Sequence, residues 1–574
     1  MSIENAIEPV DTKIPPLSLK SLISLRGKGS LLPVIGCTLA YLLCVLFSVT
    51  PVFNVAGITQ NKWWISLKLA WFGKWIPSNL GLAPDGYLSH QKTGYLELMI
   101  LLACLFAIYG VAALVVYRDA QGAPDHLKDI QRLIWLGAIV GGTIYLFTPA
   151  ALTSDIYSYA SYGRLLAFYS ANPYFVPPSA FPHDAVYNWL YWKDTVSIYG
   201  PIWTWVSALL SFFGGNGQMR VIFTFRVFAF AAHLLNIALV AATLRSMGRS
   251  DRIVTVGTLL YAWNPLVLVE SSLGAHNDVF MVTFLLLGLF LCTRAEARGT
   301  FLRARGYIPP LLAFTFATLI KFSAAPAIGV FIIALFCAVL RSSKQADGRL
   351  SWRRAVVAGL TAGCISIGLV LALYGPFWLG HSPTDIVKSF SLLPSAVEAF
   401  NSLLFALSDM NALHDLPSLL FFLIDRRLWN VVTLLAILLP VIIGGIYLWR
   451  APTTRTIALV TLASLSAFLI TTPWFFAWYL TWLVGLAVVC LPVTTSRFTC
   501  ALIAFVLTFS ATAFLTYYST LVGWILLDMH PATAAWTLRI TFEAFGLPLI
   551  VFFAVLRFWP ESMVKIPVNV NEKH

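Results

Sequence analysis

Long apolar stretches alternate with short polar segments along the 574 residues of the chain. Fourteen stretches come close to the length of roughly 20 residues that a helix needs to cross the hydrocarbon core of a bilayer, although the pair beginning at Ile308 and Phe322 is short and also fits one interrupted hairpin. They begin near Leu31, Tyr95, Leu133, Val221, Ile253, Val279, Ile308, Phe322, Ala355, Leu428, Ile457, Trp474, Ala501 and Ile540. The pattern predicts an all-α polytopic membrane protein with about 14 transmembrane helices, within a range of about 13 to 15, and with interfacial helices in its outer loops.

Composition agrees with this class of protein. Apolar residues make up 59% of the chain and charged residues 11%, whereas soluble domains carry about 25% charged residues. The net charge of +13 does not indicate nucleic-acid binding, because Lys and Arg lie in short runs between the apolar stretches and are not clustered on one face. The eight cysteines show no C-x-x-C pair or other metal-ligand spacing, so neither a disulfide framework nor a zinc site is expected.

The distribution of positive charge predicts the orientation in the membrane. If the N-terminus is cytoplasmic and the spans alternate, the cytoplasmic segments hold 25 of the 38 Lys and Arg residues, which is the positive-inside bias. Both termini are therefore expected in the cytoplasm. The first apolar stretch is expected to be a retained anchor, since it is longer than a signal peptide and lacks a cleavage site.

This orientation divides the chain into seven segments. They are a cytoplasmic tail at 1–30, three transmembrane helices at 31–152, an outer loop with interfacial helices at 153–220, transmembrane helices at 221–376, a second outer loop at 377–427, the C-terminal transmembrane helices at 428–557 and a cytoplasmic tail at 558–574. Neither a G-x-x-x-x-G-K-[ST] loop nor a G-x-G-x-x-G fingerprint occurs in the sequence. Any chemistry is therefore expected at the outer face or within the membrane, without a nucleotide site of these kinds.

The first outer loop has the most informative sequence. It begins Thr153-Ser-Asp-Ile-Tyr-Ser-Tyr-Ala-Ser-Tyr-Gly-Arg164 and continues with Asn172-Pro-Tyr174 and Tyr199-Gly-Pro201. If the first segment is helical, Asp155, Ser158, Tyr159 and Tyr162 share one face. A carboxylate there could take a proton from a sugar hydroxyl while aromatic rings stack on the sugar. The same residues equally fit an Asp at the start of an interfacial helix beside an aromatic belt.

These motifs resemble the first outer loop of GT-C glycosyltransferases, which are polytopic enzymes that use polyprenyl-phosphate sugars. The pattern is most similar to that of bacterial polyprenol-phosphate-mannose-dependent alpha-mannosyltransferases, and it continues in order from about residue 30 to 560. The other matching motifs are Trp263-Asn-Pro265, Glu270, Gly274-Ala-His-Asn-Asp278, Ile320-Lys-Phe-Ser323 and Pro473-Trp-Phe-Phe-Ala-Trp-Tyr479.

The resemblance implies an activity and a location. The expected reaction is the inverting transfer of a sugar from a polyprenyl-phosphate donor to a glycan or glycolipid acceptor. Mannose is the expected sugar, with arabinose and glucose left open. The expected location is the extracytoplasmic face of a bacterial plasma membrane. No cofactor is implied, although a divalent metal stays open because some relatives use one.

The resemblance also assigns the role of general base to Asp155, which lies where the lipid phosphate must be. Asp184 and Asp194, in the same loop, are the rival carboxylates, unless they are solvated loop charges. The candidates for binding the donor phosphate are Lys321, Arg226 and Arg164. Charged residues at membrane depth are costly and mostly functional, and the alternative for these three is snorkelling to lipid headgroups.

Aromatic and polar side chains from several motifs complete the expected site. The substrate-binding candidates are Tyr159, Tyr162, Tyr199, Glu270, His276, Asp278, Trp474 and Tyr479. Trp474, Trp478 and Tyr479 fit an interfacial aromatic girdle equally well.

Two other functions compete with this prediction. A secondary transporter would place ionisable residues near the middle of the bilayer and is often built from internal repeats. Here the polar residues gather at one face and no repeat relates the two halves. A lipid-linked polysaccharide polymerase or ligase usually depends on arginines in a large late loop, but segment 377–427 holds only Lys388, Arg426 and Arg427 as Lys or Arg.

Overall fold

The computed structural model describes residues 31–55, 88–120, 124–148, 152–343, 351–391, 398–412, 417–491, 496–517 and 541–559. The cytoplasmic tails predicted at 1–30 and 558–574 therefore lie outside the described residues, except for positions 558 and 559. Within the described part of the chain the fold is helical, without a β-strand.

Nineteen helices of eight or more residues make up this fold. The first ten are α1 Leu32–Val55, α2 Leu88–Asp119, α3 Pro124–Leu146, α4 Asp155–Tyr169, α5 Pro201–Gly214, α6 Gln218–Ser246, α7 Asp251–Ala262, α8 Pro265–Ser272, α9 Asn277–Ala297 and α10 Ala304–Ile320. The others are α11 Ala325–Ser342, α12 Trp352–Trp378, α13 Pro383–Ser391, α14 Leu403–Ala412, α15 Arg426–Arg450, α16 Thr454–Thr471, α17 Leu480–Val489, α18 Arg497–Thr512 and α19 Leu547–Phe558. Single turns lie at Pro178–Ala180, Tyr187–Trp189, Phe322–Ala324, Ser418–Ile424, Ala477–Tyr479, Leu515–Tyr517 and, as a π-turn, Phe542–Gly546.

The polytopic all-α class is confirmed, but the count of about 14 transmembrane helices is not. Among the described residues, nine helical segments are long and apolar enough to cross a membrane, or ten if the bent pair α7 and α8 is one span. Each of the fourteen apolar stretches contains helix. Four of them fall short: the first turns of α3 carry four charged residues, and α10, α17 and α19 are each shorter than 18 residues.

The break between α7 and α8 carries an acidic residue into the interior. Pro265 has no N–H with which to continue the hydrogen bonds of α7, and the Asn264 side chain accepts a hydrogen bond from a backbone N–H in the first turn of α8. The two helices meet at 50°. The Trp263 carbonyl accepts a hydrogen bond from the Tyr41 hydroxyl at 2.9 Å. Every residue of α8 is buried, including Glu270.

The helices place two different sets of residues at opposite ends of the bundle. Asp278, in the first turn of α9, and Trp474, which follows α16, lie at one end. At the other ends of the same two helices, the Glu296 side chain accepts a hydrogen bond from the Thr454 N–H. Helix α9 has 21 residues and is about 31 Å long at 1.5 Å per residue. The two ends are therefore separated by about the thickness of a hydrocarbon core.

Candidate active site

Asp155 is the first residue of α4, where the chain leaves the end of α3 and enters the loop. Its backbone N–H donates to the Thr153 hydroxyl at 3.1 Å. The ten residues that follow it are buried, so α4 packs within the protein. A Cβ at Gly163 would overlap the Ser207 carbonyl, which shows how closely α4 approaches α5.

A small pocket opens in front of Asp155. It has a volume of about 50 Å³, which is room for a few water molecules, so a sugar ring enters only if lining side chains move. The pocket is lined by Asp155, Ser158, Tyr162, Trp192, Thr195, Ile198, Tyr199, Lys321, Trp474, Phe476, Trp478 and Tyr479. Six of the residues that the sequence assigned to the site therefore meet at one place: Asp155, Tyr162, Tyr199, Lys321, Trp474 and Tyr479.

Behind Asp155, an imidazole lies between two carboxyl groups. His276 Nδ1 is 3.9 Å from Asp155 Oδ2, and His276 Nε2 is 3.3 Å from Glu270 Oε2. The Tyr159 hydroxyl is within hydrogen-bond distance of His276 Nδ1, at 3.2 Å. The Tyr517 hydroxyl donates to Glu270 Oε1 at 2.9 Å. The Tyr159 hydroxyl is thus a hydrogen-bond partner of Nδ1, whereas Nε2 has no hydrogen-bond partner among the described residues.

The sequence around His276 explains how the ring reaches this position. The turn that follows α8 places Ala275 at a positive φ of 52°. A Cβ at Gly274 would lie 2.7 Å from His276 Cδ2 and 2.9 Å from Glu270 Oε2. Only glycine therefore leaves room for the imidazole and the carboxylate. The ring also stacks on Trp478 with 4.0 Å between ring centroids.

Lys321 presents its ammonium group to the same pocket. Its Nζ donates to Asp278 Oδ1 at 2.7 Å, and the Trp482 indole N–H donates to the same oxygen at 2.6 Å. The ammonium also lies 4.1 Å from the centroid of the Tyr479 ring. Asp278 is fully buried, whereas 15% of the Lys321 side chain is exposed. Asp278 thus orients the ammonium group of Lys321, which lines the pocket.

The Tyr199-Gly-Pro201 motif joins the loop to the helix end that carries Lys321. The Gly200 N–H donates to the Ile320 carbonyl at 3.0 Å. A Cβ at Gly200 would overlap the Leu319 carbonyl, so this backbone contact requires glycine. It brings Tyr199 to the pocket wall, where its ring contacts Tyr159 edge to face with 5.0 Å between centroids.

Aromatic rings from three segments pack together at one wall of the pocket. The Phe400 N–H donates to the Pro473 carbonyl at 2.9 Å, and the Phe475 N–H donates to the Phe400 carbonyl at 3.0 Å. This bridge ties the second outer loop to the segment that carries Trp474. The Trp474 ring lies 6.0 Å from that of Trp192 in the first outer loop. We call Trp192, Trp474 and Phe400 the aromatic cover.

The other predicted cations and carboxylates do not line the pocket. Arg164 Nε donates to both oxygens of Asp184, at 3.0 and 2.8 Å, and its Nη1 donates to the Gly215 carbonyl at 2.6 Å. Arg226 is fully buried and donates to the Leu146 carbonyl at 3.2 Å and to the Thr148 carbonyl. The contacts of Arg164 hold the first outer loop together, and those of Arg226 hold the chain that leaves α3. Asp194 is exposed.

Four predicted substrate-binding residues form the layer behind the pocket wall: Tyr159, Glu270, His276 and Asp278. All four are buried, and they contact the residues that line the pocket. In the structure these four residues contact other side chains of the protein. Their assignment to direct substrate contact stays a prediction.

Several residues at the site were not predicted from the sequence. Trp482 and Tyr517 complete the layer behind the pocket, and Trp192, Thr195 and Phe476 line its wall. The position of Trp482, three residues after Tyr479, gave one usable signal, since helical residues three apart share a face. No local pattern distinguished Trp192 from other loop aromatics.

The surroundings shift the acidity of the two groups nearest the pocket. Burial raises the pKa of Asp155 to about 7. The charge of Asp278 raises this pKa as well, whereas the charge of Lys321 lowers it. Burial, and then the charge of Lys321, holds the pKa of His276 well below its usual range. The imidazole is therefore neutral, and Asp155 changes its charge near neutral pH.

A metal centre was not expected from the sequence. Among the described residues, no group of three or more His, Cys, Asp or Glu side chains is arranged to hold a metal ion.

Known proteins are similar to the part of the chain that carries the Asp155 pocket. Residues 69–338 match a family model described as the N-terminal domain of alpha-(1->6)-mannopyranosyltransferase. The chain is 24% identical over 370 residues to alpha-(1->6)-mannopyranosyltransferase A of Mycobacterium tuberculosis, an alignment that covers 64% of this chain and 66% of that relative. It is 25% identical over 148 residues to a probable alpha-(1->6)-mannopyranosyltransferase of Mycolicibacterium smegmatis, covering 25% of this chain and 26% of the relative.

The chain thus spans just under two thirds of the length of the first relative. The family match includes Asp155, Glu270, His276, Asp278 and Lys321. The family model and both relatives support the resemblance to GT-C mannosyltransferases found in the motifs.

Proposed function

We propose that this protein is an inverting membrane mannosyltransferase that moves mannose from a polyprenyl-phosphate donor to a glycan or glycolipid acceptor. The observation that carries the proposal is the pocket in which a carboxylate, Asp155, and an ammonium group, Lys321, face the same space between aromatic walls. The names of the relatives support mannose as the transferred sugar.

The proposed reaction is a single displacement at the anomeric carbon. The acceptor oxygen forms a bond to this carbon while the bond between the carbon and the donor phosphate oxygen breaks. The acceptor proton passes to the Asp155 carboxylate, and the electron pair of the broken bond leaves on the polyprenyl phosphate. Because the acceptor attacks opposite to the leaving phosphate, the configuration of the anomeric carbon inverts.

Lys321 supplies the fixed positive charge that the leaving phosphate needs. Negative charge increases on the phosphate as the bond breaks, and a preorganised cation lowers the energy of that state. The Asp278 and Trp482 contacts hold the ammonium in place before the reaction. This step uses only side chains of the chain, and treatment with EDTA checks whether a divalent cation contributes.

The layer behind the pocket is proposed to set the properties of the base. Burial keeps the pKa of Asp155 near neutral, and the neutral His276 behind it adds no positive charge that would lower this pKa. A general base is most effective when its pKa is near the working pH. In this account Glu270 and Tyr159 hold the imidazole and do not touch the sugar.

The pocket is proposed to lie at the extracytoplasmic face. The opposite end of the bundle carries Arg249, Arg294, Arg341, Arg450 and Arg455, which is the end that the positive-inside rule assigns to the cytoplasm. The donor would reach Lys321 sideways from the outer leaflet, since its isoprenoid tail is most stable in lipid.

The test is a transfer assay with the full-length protein reconstituted in liposomes. Polyprenyl-phosphate mannose labelled in the sugar is supplied with a mannose oligosaccharide acceptor, and matched donors carry glucose or arabinose. We expect labelled acceptor to form from the mannose donor only, with the anomeric configuration inverted as read by NMR.

Three results would contradict the proposal. Retention of configuration would require a covalent intermediate, which the single displacement lacks. Uptake of labelled compound into sealed liposomes, without covalent transfer, would identify a transporter instead. A product in which whole glycan chains are joined would identify a polymerase or ligase.

A further inference from the structure

A second and larger cavity lies far from the Asp155 pocket. It has a volume of about 710 Å³, within the range of about 300 to 1,000 Å³ that ligand pockets occupy. Its walls come from α15, α16, α18 and α19 and are mainly apolar. Representative wall residues are Ile443, Leu459, Ala463, Leu502 and Phe552.

One end of this cavity is basic. Arg450, at the end of α15, and Arg455, in the first turn of α16, both line it, together with the hydroxyl side chains of Thr456 and Ser496. These four residues lie at the end of the bundle opposite to Asp155. Helix α16 has 18 residues and is about 27 Å long, so the arginines lie about one hydrocarbon thickness from Trp474.

Further positive charge surrounds this mouth. Arg341 donates to the carbonyls of Trp449 and Arg450. The pKa of Arg249 is lowered, first by burial and then by the positive charge of Arg455, which shows that these two guanidinium groups lie near each other. The carboxylate of Glu296 lies at the same end of the bundle, where it accepts a hydrogen bond from the N–H of Thr454 at the start of α16. The arginines at this end outnumber this one carboxylate.

The combination of an apolar cavity between helices and a cationic mouth fits an amphiphile with an anionic head. Basic pockets between transmembrane helices on the cytoplasmic side bind anionic lipid headgroups. The proposed sugar donor does not fit, because its phosphate must lie at the opposite end, beside Lys321. The ligand must therefore have its phosphate in the inner leaflet.

We propose that this cavity binds one anionic phospholipid of the cytoplasmic leaflet, with its phosphate between Arg450 and Arg455 and an acyl chain between α15 and α19. The exclusion of the polyprenyl-phosphate donor rests on the proposed function, whereas the fit of an anionic headgroup to Arg450 and Arg455 does not. The lipid would fill the space between helices α15 and α16 on one side and α18 and α19 on the other.

The test is native mass spectrometry of the full-length protein with phosphatidylglycerol, phosphatidylcholine or polyprenyl phosphate added at equal concentrations. We expect phosphatidylglycerol to be retained most. Arg450→Gln with Arg455→Gln should weaken its retention by roughly thirtyfold, the electrostatic contribution of two cations near an anionic headgroup. Ala463→Phe should weaken it as well, since a ring fills the cavity while every charge is kept.

The matched control is Arg353→Gln with Arg354→Gln, which removes two exposed arginines from the same end of the bundle, at the start of α12. This control should retain phosphatidylglycerol as the wild type does. Equal retention of phosphatidylcholine, or unchanged retention in the Arg450 and Arg455 variant, would overturn the proposal. Preferred retention of polyprenyl phosphate would assign the cavity to the isoprenoid. Binding of phosphatidylglycerol only after removal of residues 560–574 would assign it to the chain's own tail.

Discussion

Replacing Asp155 with Asn should make the protein more stable while it abolishes transfer. The carboxyl has a pKa of about 7 in place, against its ordinary value of 3.8. The folded protein therefore holds the proton more tightly than the unfolded chain does. Stability from this group is fully present below pH 3.8 and is lost as the pH rises through 7.

The size of the effect follows from the two pKa values. Each unit of pKa is worth about 1.4 kcal/mol, so the raised pKa of Asp155 lowers the free energy of unfolding by about 4 kcal/mol at pH 7 and by about 2 kcal/mol at pH 5, relative to a group that does not titrate. Asn is close to the neutral acid in shape and does not titrate. The gain in the free energy of unfolding should therefore be larger at pH 7 than at pH 5.

The assay is unfolding of the full-length protein in mixed micelles, titrated with sodium dodecyl sulfate at pH 5 and pH 7. Asp194→Asn is the matched control, because it removes an exposed carboxylate from the same loop and should change little at either pH. If Asp155→Asn is less stable than the wild type at pH 7, or if the difference is the same at both pH values, the description of Asp155 as a destabilised base is refuted.

Three further predictions concern the base, the loop and the aromatic cover. The kcat/KM of the wild type should rise about tenfold per pH unit up to about 7 as Asp155 ionises. Lys321→Ala should slow transfer about 100-fold. It should also shift this pH profile to higher pH, because the Lys321 cation lowers the pKa of Asp155. Arg164→Gln should destabilise the protein by about 3 kcal/mol, since it leaves the buried Asp184 carboxylate unpaired, without shifting the pH profile. Trp192→Ala should raise the KM for the acceptor and leave the KM for the donor unchanged, measured by varying each substrate separately.

Helix positions follow well from the sequence, but the number of spans does not. Apolar length alone treats every stretch as one that faces lipid. Helix α17 shows why this fails: all ten of its residues are buried inside the protein, so they are apolar because they pack against other helices. The polar first turns of α3 are tolerated because Asp129 pairs with Arg132 at 2.7 Å.

The site could be predicted where one motif carries both the residue and its place in the chain. Asp155 and Lys321 are examples, since each lies at a junction between an apolar stretch and a loop, and Tyr162 shares the predicted helix face of Asp155. The partners of these residues depend on contacts between distant segments. Lys321 and Asp278 are separated by 43 positions, and Trp482 reaches the same carboxylate from α17.

Arg164 and Asp184 show the opposite limit. The sequence offered each of them a role in the chemistry, as a phosphate ligand and as a rival base. The structure pairs the two charges with each other at 2.8 Å. Such a pairing depends on how the loop between them folds, which local periodicity does not specify.

The most direct test of the central claim is a single-turnover transfer with donor already bound to the protein. Asp155→Asn and Asp194→Asn are loaded with labelled polyprenyl-phosphate mannose, and the acceptor is then added. We expect both variants to retain the donor, with transfer by Asp155→Asn slowed about 1,000-fold or more and transfer by Asp194→Asn at the wild-type rate. Transfer by Asp155→Asn at the rate of the wild type would show that another group takes the acceptor proton.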